Sequence, residues 1–450
     1  MDTIVALATP PGRSALAVAR LSGDRSSEIL SALLGDSCQS LEVRRPTLCT
    51  LYDPTDGRVL DQALVTVFRG PESYTGEDMV EVSSHGGWLT PALIEEAFIG
   101  AGARRAEAGE FTRRAYLNGK LDLVQVEAVL DLIDGQSRAI HEAAIFQLER
   151  GLSLRLADLK ERLLRLEAHL VQHIDFPEED AAPMPPDSIA SEADTVAGAL
   201  EELLATAPEG ELLREGAVTV LAGRPNSGKS SLFNAMLGVE RAIVTEVPGT
   251  TRDALESVIS LGGFPFRLVD TAGIHETDER VERLGVEVAR RYLDAADLVL
   301  LCVEAGRPLG EDEAVFAESL AGKEVVMVRT KADLADASGE SSGGDDQLLV
   351  SAVTGQGLAR LREKMPSLVF RGLVSAGVDA PVLTRKRQAD GVRRALESVR
   401  AFAVALREGV PAELASTHLR PAESALEELL GVISSEDVLD ALFEEFCIGK

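Results

Sequence analysis

Residues Gly223-Arg-Pro-Asn-Ser-Gly-Lys-Ser230 follow the pattern G-x-x-x-x-G-K-S, and their flanks say how that part of the chain must fold. Ala217 to Leu221 is an apolar, β-rich run that reads as a buried parallel strand, and Ser231 to Leu237 reads as the start of a helix. In that setting the glycines let successive backbone N–H groups converge on a phosphate at a helix N-terminus, where the helix dipole also favours anions. Lys229 would reach the β- and γ-phosphate oxygens, and the Ser230 hydroxyl would ligate Mg²⁺. The loop lies near the middle of a chain of 450 residues, so substantial sequence on both sides needs its own architecture.

That length predicts about three domains. Hydrophobic residues make up 45% of the chain, enough to bury real cores. The sequence holds no apolar run of about eighteen residues, and Met1-Asp-Thr-Ile-Val lacks the basic start of a signal peptide. The four cysteines, Cys38, Cys49, Cys302 and Cys447, show no C-x-x-C and no metal-ligand spacing, which predicts reduced thiols in a cytoplasm. The net charge of −29 repels polyanions at long range. Nucleic-acid binding would therefore need a local basic patch and would depend on salt. The acidic surface reads either as a solubility device or as a partner-binding face.

The fold class expected is multidomain α/β, with an α+β N-terminal domain, an all-α helical domain and an inserted Ras-like P-loop domain. The boundaries read are 1–118, then 119–214 for the first helical part, 215–373 for the nucleotide domain and 374–450 for the second helical part. In the first domain, runs at 3–8, 15–21 and 63–68 look like strands, and Thr90 to Gly100 has helical spacing. From Leu121 to His173 the pattern is helical. Residues 176–188 form a proline-rich acidic connector, and Ile189 to about Arg214 is helical again. Residues 338–346 read as a flexible loop in the nucleotide domain. After Pro381, helices are expected over 383–407, 424–430 and 435–446. The two helical blocks would pack together around the insertion, which close termini make easy.

Further nucleotide elements follow in order. A strand ends in Asp270-Thr271-Ala272-Gly273, where Asp270 would hold Mg²⁺ through water and the Gly273 N–H would sense the γ-phosphate. Between the two elements Gly249-Thr250-Thr251-Arg252-Asp253 offers Thr251 to the Mg²⁺ shell. Runs at 297–303 and 324–330 read as core strands. The second leads into Thr330-Lys331-Ala332-Asp333, where the Asp333 carboxylate can accept from guanine N1–H and the 2-amino group and so select GTP over ATP. The familiar GTPase form has Asn where Thr330 stands. Ser351-Ala352-Val353 fits the last base-contacting loop. Ile274 follows Gly273, so no Gln is present to orient the attacking water as in Ras-like enzymes. Asn226 offers a side-chain carbonyl where a monovalent cation can sit, doing what an arginine finger otherwise does. Two alternatives stand beside that reading: Asn226 braces the loop, or Arg252 is itself the finger.

With these elements in this order, the chain resembles the tRNA-modifying GTPase family MnmE (TrmE) over essentially its whole length. Asp2-Thr-Ile-Val-Ala-Leu-Ala-Thr-Pro-Pro-Gly-Arg13 is similar to the family's opening. Ser73-Tyr-Thr-Gly-Glu-Asp78, His85-Gly-Gly87, the segment from Gly109 to Leu123, and the ending Phe446-Cys-Ile-Gly-Lys450 resemble its other signatures. The resemblance implies that the N-terminal domain binds a tetrahydrofolate one-carbon carrier (5-formyl- or 5,10-methylene-tetrahydrofolate) through Arg20, Glu77, Lys120 and Lys450, and mediates a homodimer. It implies a nucleotide site built from Asn226, Ser227, Gly228, Lys229, Ser230 and Ser231, the loop Thr245-Glu246-Val247-Pro248-Gly249-Thr250 with Thr251, and the motifs above. K⁺ would be held by Asn226, Thr245, Val247 and Thr250, and Mg²⁺ by Ser230 and Thr251. Glu282 matches the family's water-orienting glutamate and would act through a second water, since a carboxylate beside the γ-phosphate is repelled.

With an FAD-dependent MnmG-type partner, such proteins install a carboxymethylaminomethyl- or aminomethyl-type group on C5 of the wobble uridine, U34, of certain tRNAs, in the cytoplasm. The rival function is a regulatory or ribosome-assembly GTPase switch without one-carbon chemistry. Cys447 reads as a reactive thiol near the folate or as a cysteine packed at a helix end. Gly449 and the final Lys450 fit a prenylation motif poorly. His85 is expected in a turn or packed near the folate site. Without a ligand, Arg20 and Glu77 would simply pair across a strand edge.

Overall fold

The computed structural model describes residues 2–35, 41–175, 184–238, 256–270, 290–334, 347–377, 381–433 and 436–450, the side chains of 172–175 and 376 excepted. Two compact units emerge, one made of Met1–Leu130 with Leu430–Lys450 and the other of Asp131–Leu429.

The first unit is built on a six-stranded sheet: β1 (Ile4–Leu7), β2 (Gly12–Ser22), β3 (Thr47–Tyr52), β4 (Val59–Phe68), β5 (Met79–Gly87) and β6 (Arg104–Arg105). Their spatial order is β3-β4-β5-β2-β1-β6, antiparallel except for the β1/β6 pair. Alternation decides which face is buried. Ala19 and Leu21 of β2 share a core with Ala63 and Val65 of β4 and Val80 and Val82 of β5. The helices Ser26–Leu34 and Thr90–Gly100 cover this face with Ile29, Leu33, Ile94 and Phe98. On the other face Leu48 stands opposite Leu64, and Leu64 opposite Ser83, which pairs in turn with Val18. Leu16, Leu48 and Leu64 are exposed there.

The helix Thr90–Gly100 coincides with its sequence expectation, whereas β3 and β5 were not anticipated. The β5 sequence alternates Val with Glu, Ser and His, so its apolar signal is half diluted. His85, expected in a turn or packed near the folate site, lies in this strand, with its Nδ1 and its backbone N–H each 2.8 Å from the Asp61 carboxylate. Cys49 of β3 is disulfide-bonded, against the expectation of four reduced thiols, while Cys302 and Cys447 are free. Whether two sulfurs meet depends on where strands bring them, which spacing does not record. Cys38 lies outside the described residues.

The C-terminal helix Glu436–Glu444 packs Leu439, Leu442 and Phe443, with Phe446, onto Leu123, Val126 and Leu130 of the helix Leu123–Asp134. The chain then runs past the start of the helix Glu110–Leu117. Gly109 N–H donates to the Cys447 carbonyl at 3.4 Å and Phe111 N–H to the Lys450 carbonyl at 3.1 Å. Glycine is required at Gly449, where φ is +100° and an added Cβ would come 2.3 Å from the Leu7 carbonyl oxygen.

The second unit carries helices Arg138–Leu148, Gly151–Asp175, Pro186–Leu204 and Ala207–Glu215 before the nucleotide sheet. Two boundaries differ from expectation. Pro186 to Ser188, assigned to the connector, form the first turn of a helix, where Pro forfeits no hydrogen bond. The expected single helix over 189–214 is two, the second opening with Pro208 in its first turn, because Pro cannot continue a helix from within. The sheet contains β7 (Ala217–Ala222), β8 (Glu256–Leu261), β9 (Phe264–Asp270), β10 (Leu298–Glu304), β11 (Glu324–Thr330) and β12 (Gln347–Leu349) in the order β12-β11-β10-β7-β9-β8, parallel apart from β8. β10 is buried along nearly its full length, as a central parallel strand must be.

The helix Lys386–Arg407, which follows the sheet, lies against Pro186–Leu204, which precedes it, with Arg400 paired to Glu201 at 2.6 Å. Ala139, Ile140 and Ala143 enter the same core as Leu221, Phe266 and Phe370. Phe370 stacks on Phe264 at 4.8 Å and meets Phe266 edge-on at 5.7 Å. Glu209 accepts the Gly372 and Leu373 N–H groups, both at 2.8 Å, at the open start of the helix Arg371–Ala376. Among the described residues no helix is long and apolar enough to cross a membrane.

Candidate nucleotide site and C-terminal tail

The strands β7, β9 and β11 run parallel with their C-terminal ends at one edge of the sheet, where open α/β sheets bind ligands. At the end of β7 the chain turns through Gly223 at φ +143°, and a Cβ there would sit 2.4 Å from the Cys302 carbonyl oxygen, so no other residue fits. Asn226 at φ 61° and Gly228 at φ 87° hold left-handed conformations before the helix Lys229–Leu237 begins. The buried Lys229 folds back over the loop, its Nζ donating to the Gly223 carbonyl at 2.9 Å and the Arg224 carbonyl at 2.8 Å. Burial lowers the pKa of this ammonium, while Cys302 and Asp270 act in the opposite direction. Burial likewise pushes the Cys302 thiol up to about 12, so it sits as a neutral floor to the loop.

Asp270 ends β9 directly opposite Leu221. Its carboxylate and the exposed Ser230 hydroxyl at the helix start are hard oxygen donors of the kind Mg²⁺ takes. The loop is also held from outside. Arg224 lies 3.1 Å from Asp312 and 3.6 Å from the buried Glu313, which accepts from Arg307 at 2.5 Å and from Gly310 N–H at 2.8 Å. Burial raises the Glu313 pKa, but the Gly310 N–H and the two guanidiniums outweigh it and hold the carboxyl below its usual value.

At the end of β11, Thr330 Oγ1 donates to the Ser227 carbonyl at 2.5 Å. Lys331 has φ 55° and pairs with Glu304 at 3.2 Å. The Ser351 hydroxyl donates to Asp333 Oδ1 at 2.5 Å, and Ala332 N–H to the Val350 carbonyl at 3.2 Å. Two loops that are distant in sequence thus present one carboxylate. Ala352 and Val353 follow Ser351, with Val353 exposed.

In the first unit the tail meets Arg20. The Arg20 guanidinium donates to Glu81 at 2.8 and 3.0 Å and to the Gly449 carbonyl at 3.5 Å, with its carbon 5.3 Å from the Tyr74 ring centroid and 5.6 Å from that of Phe111. Burial lowers the pKa of the half-buried Lys450 ammonium, Arg20 adds to that, and Glu81 opposes it.

The descriptions of two family models fit the chain: "GTP-binding protein TrmE N-terminus" over residues 3–120 and "MnmE helical domain" over residues 123–447. The tRNA modification GTPase MnmE of Moorella thermoacetica is 40% identical over 100% of this chain and 99% of its own length. Those of Clostridioides difficile and Geobacillus thermodenitrificans are 36% and 38% identical with the same coverage. The chain belongs to the MnmE family. It is a GTP hydrolase, and an MnmE-type GTPase takes Mg²⁺ with its nucleotide.

Within the nucleotide domain, the structure brings together Asn226, Ser227, Gly228, Lys229, Ser230, Asp270, Thr330, Asp333 and Ser351 along one sheet edge. Thr245, Glu246, Val247, Pro248, Gly249, Thr250, Thr251, Arg252, Thr271, Ala272, Gly273 and Glu282 lie outside the described residues. At the MnmE-type N-terminal domain, Arg20 and Lys450 are neighbours. Arg20 pairs with Glu81, not with Glu77 as the strand-edge reading had it. Glu77 accepts from Ser22 Oγ at 2.8 Å and from Arg114 at 3.1 Å, and Lys120 donates to the Pro71 carbonyl at 2.9 Å. Cys447 is exposed, so the packed alternative for it does not hold. Sequence reasoning missed Glu81 and Glu313. Glu81 carries a legible signal, since it faces Arg20 across β2 and β5, but only once the register is known. Glu313 had none beyond Glu at the third position of a helix.

Proposed function

We propose that this protein is a K⁺-stimulated GTPase that works with an MnmG-type FAD protein to place a carboxymethylaminomethyl- or aminomethyl-type group on C5 of the wobble uridine of certain tRNAs in the cytoplasm, using a tetrahydrofolate one-carbon unit. The proposal divides the chain as 1–118, 119–214, 215–373 and 374–450, with a homodimer formed through the first domain. The observation that carries the one-carbon part is the docked tail. Phe111 N–H holds the Lys450 carbonyl, so a second cation stands beside an Arg20 already flanked by Tyr74 and Phe111. Two cations bordered by aromatic rings suit a flat, anionic ligand such as a reduced folate.

In GTP hydrolysis Lys229 exchanges its two loop carbonyls for phosphate oxygens, and the left-handed turn at Asn226 and Gly228 aims backbone N–H groups at the same phosphates. Ser230 and Thr251 would hold Mg²⁺, with Asp270 acting through water, and the ion would supply charge neutralisation at the phosphates. Asn226 with Thr245, Val247 and Thr250 would hold K⁺, and Glu282 would align water. A cation held there would take the place of an arginine finger, and its presence is expected to raise turnover by about 10³.

Titration of the full-length protein with 5-formyltetrahydrofolate tests the reading. Saturable binding that is lost in Arg20→Ala is expected. Absence of binding by the wild type would leave the rival, a regulatory GTPase switch. Equal turnover in Na⁺ and K⁺, or K⁺ stimulation surviving Asn226→Ala, would remove the cation from the scheme.

A further inference from the structure

The loop that selects the base and the loop that cradles phosphate share a hydrogen bond. Thr330 is buried at the end of β11, and its Oγ1 lies 2.5 Å from the Ser227 carbonyl oxygen and 3.4 Å from that of Val303. Its side chain also sits against the turn, since a Cβ added to Gly228 would be 3.3 Å from Thr330 Cβ. Ser227 is the residue between the two left-handed positions Asn226 and Gly228. Fixing its carbonyl therefore restrains the part of the loop whose backbone is conformationally least favourable.

A hydroxyl has one hydrogen to donate, whereas the amide of the more familiar Asn has two. The Thr330 hydrogen is committed to Ser227. Guanine presents N7 only as an acceptor, so nothing remains on Thr330 to bind it. We propose that Thr330 is a positioning residue that sets the phosphate loop through the Ser227 carbonyl and takes no part in reading the base. Guanine selection then falls on Asp333, whose carboxylate Ser351 already orients at 2.5 Å. This inference rests on the reading of this sheet edge as the guanine site.

The test compares GDP with 7-deaza-GDP, which lacks the N7 acceptor, by calorimetry on the full-length protein. The wild type is expected to bind both within about twofold. Thr330→Val, which keeps the shape and removes the donor, should weaken both by about tenfold alike, and Thr330→Ser should restore them. Thr330→Asn, with a second N–H, should newly favour GDP over 7-deaza-GDP by about tenfold. A wild type that itself discriminates tenfold against 7-deaza-GDP overturns the proposal without any variant. So does a Thr330→Val protein with unchanged GDP affinity. Asp333→Asn separates the guanine site itself from the role of Thr330. If it loses GDP and gains xanthosine diphosphate, the guanine site stands and a contrary Thr330 result counts against this inference alone. If its GDP affinity is unchanged, the site and the inference fall together.

Discussion

Glu110 shows how much of the first unit is fixed by single ionic contacts. Its carboxylate accepts from Arg104 at 2.7 Å and Arg114 at 2.9 Å and from the Glu107 N–H at 2.9 Å. Desolvation pulls its pKa upward, but the Arg104 hydrogen bond and the other partners win, so the folded value lies below the usual carboxylate range. Asp2, bound to the same two arginines, is also lowered. The sign follows from linkage: a depressed carboxyl pKa contributes stability above the unfolded value and loses it as pH falls through the folded one. The contribution is therefore expected to be complete above about pH 5 and to fade toward pH 3. Glu110→Gln should cost about 2 kcal/mol at pH 7 and flatten the acid limb of the stability curve. Urea melts of both proteins at pH 7, 5 and 3.5 check this, and an unchanged acid limb in the variant would refute it. None of these partners could be read from the sequence. Arg104 and Glu110 are close along the chain, but Asp2 and Arg114 meet only because β1 and β6 run side by side.

At the scale of elements, the apolar face opposite the helices stays open to solvent among the described residues. Leu48, Leu64, Leu16 and the neighbouring Trp88, which is 74% exposed, make a surface of the sort that marks an interface. A second copy of the chain covering it is one arrangement that would satisfy the dimer proposal. Leu48→Asp with Leu64→Asp places like charges directly opposite each other on that face. The double variant is expected to run as a monomer in light scattering while keeping its GTPase domain active. A dimer that survives would move the interface elsewhere. Elements were legible where period and punctuation agreed, as in Thr90–Gly100 with Pro91 in its first turn and in the strands around the phosphate loop. They were not legible where polar residues occupy the outer positions of a strand, as in β5, or where a proline divides one apolar stripe into two helices. The same split applies to the nucleotide site. Lys229, Asp270 and Asp333 announce themselves by motif, whereas the Thr330–Ser227 and Ser351–Asp333 bonds depend on which strand ends become neighbours.

The whole second unit is closed by a few buried polar contacts between its two sequence-distant helical parts. Arg385 pairs with Asp131 at 2.6 Å, and the Gln147 side-chain N–H donates to the Val382 carbonyl at 2.9 Å. Removing one member of a buried pair leaves the other charge stranded, so Arg385→Met should cost about 3–5 kcal/mol. Thermal melts followed by far-UV circular dichroism measure it, and a loss under about 1 kcal/mol would show that the pair does not hold the frame. These contacts also impose a schedule on the growing chain. Gln147 and Val382 are 235 positions apart. At about 5–20 residues per second, a ribosome needs roughly ten to fifty seconds to travel from one to the other. Throughout that interval the apolar side of Pro186–Leu204 lacks the helix Lys386–Arg407 that covers it, and it is then a natural client for a chaperone. The intervening nucleotide domain shortens the wait in another sense. Once its own sheet has formed, it presents its two ends as one compact link, so the final closure spans far less entropy than a free loop of that length would.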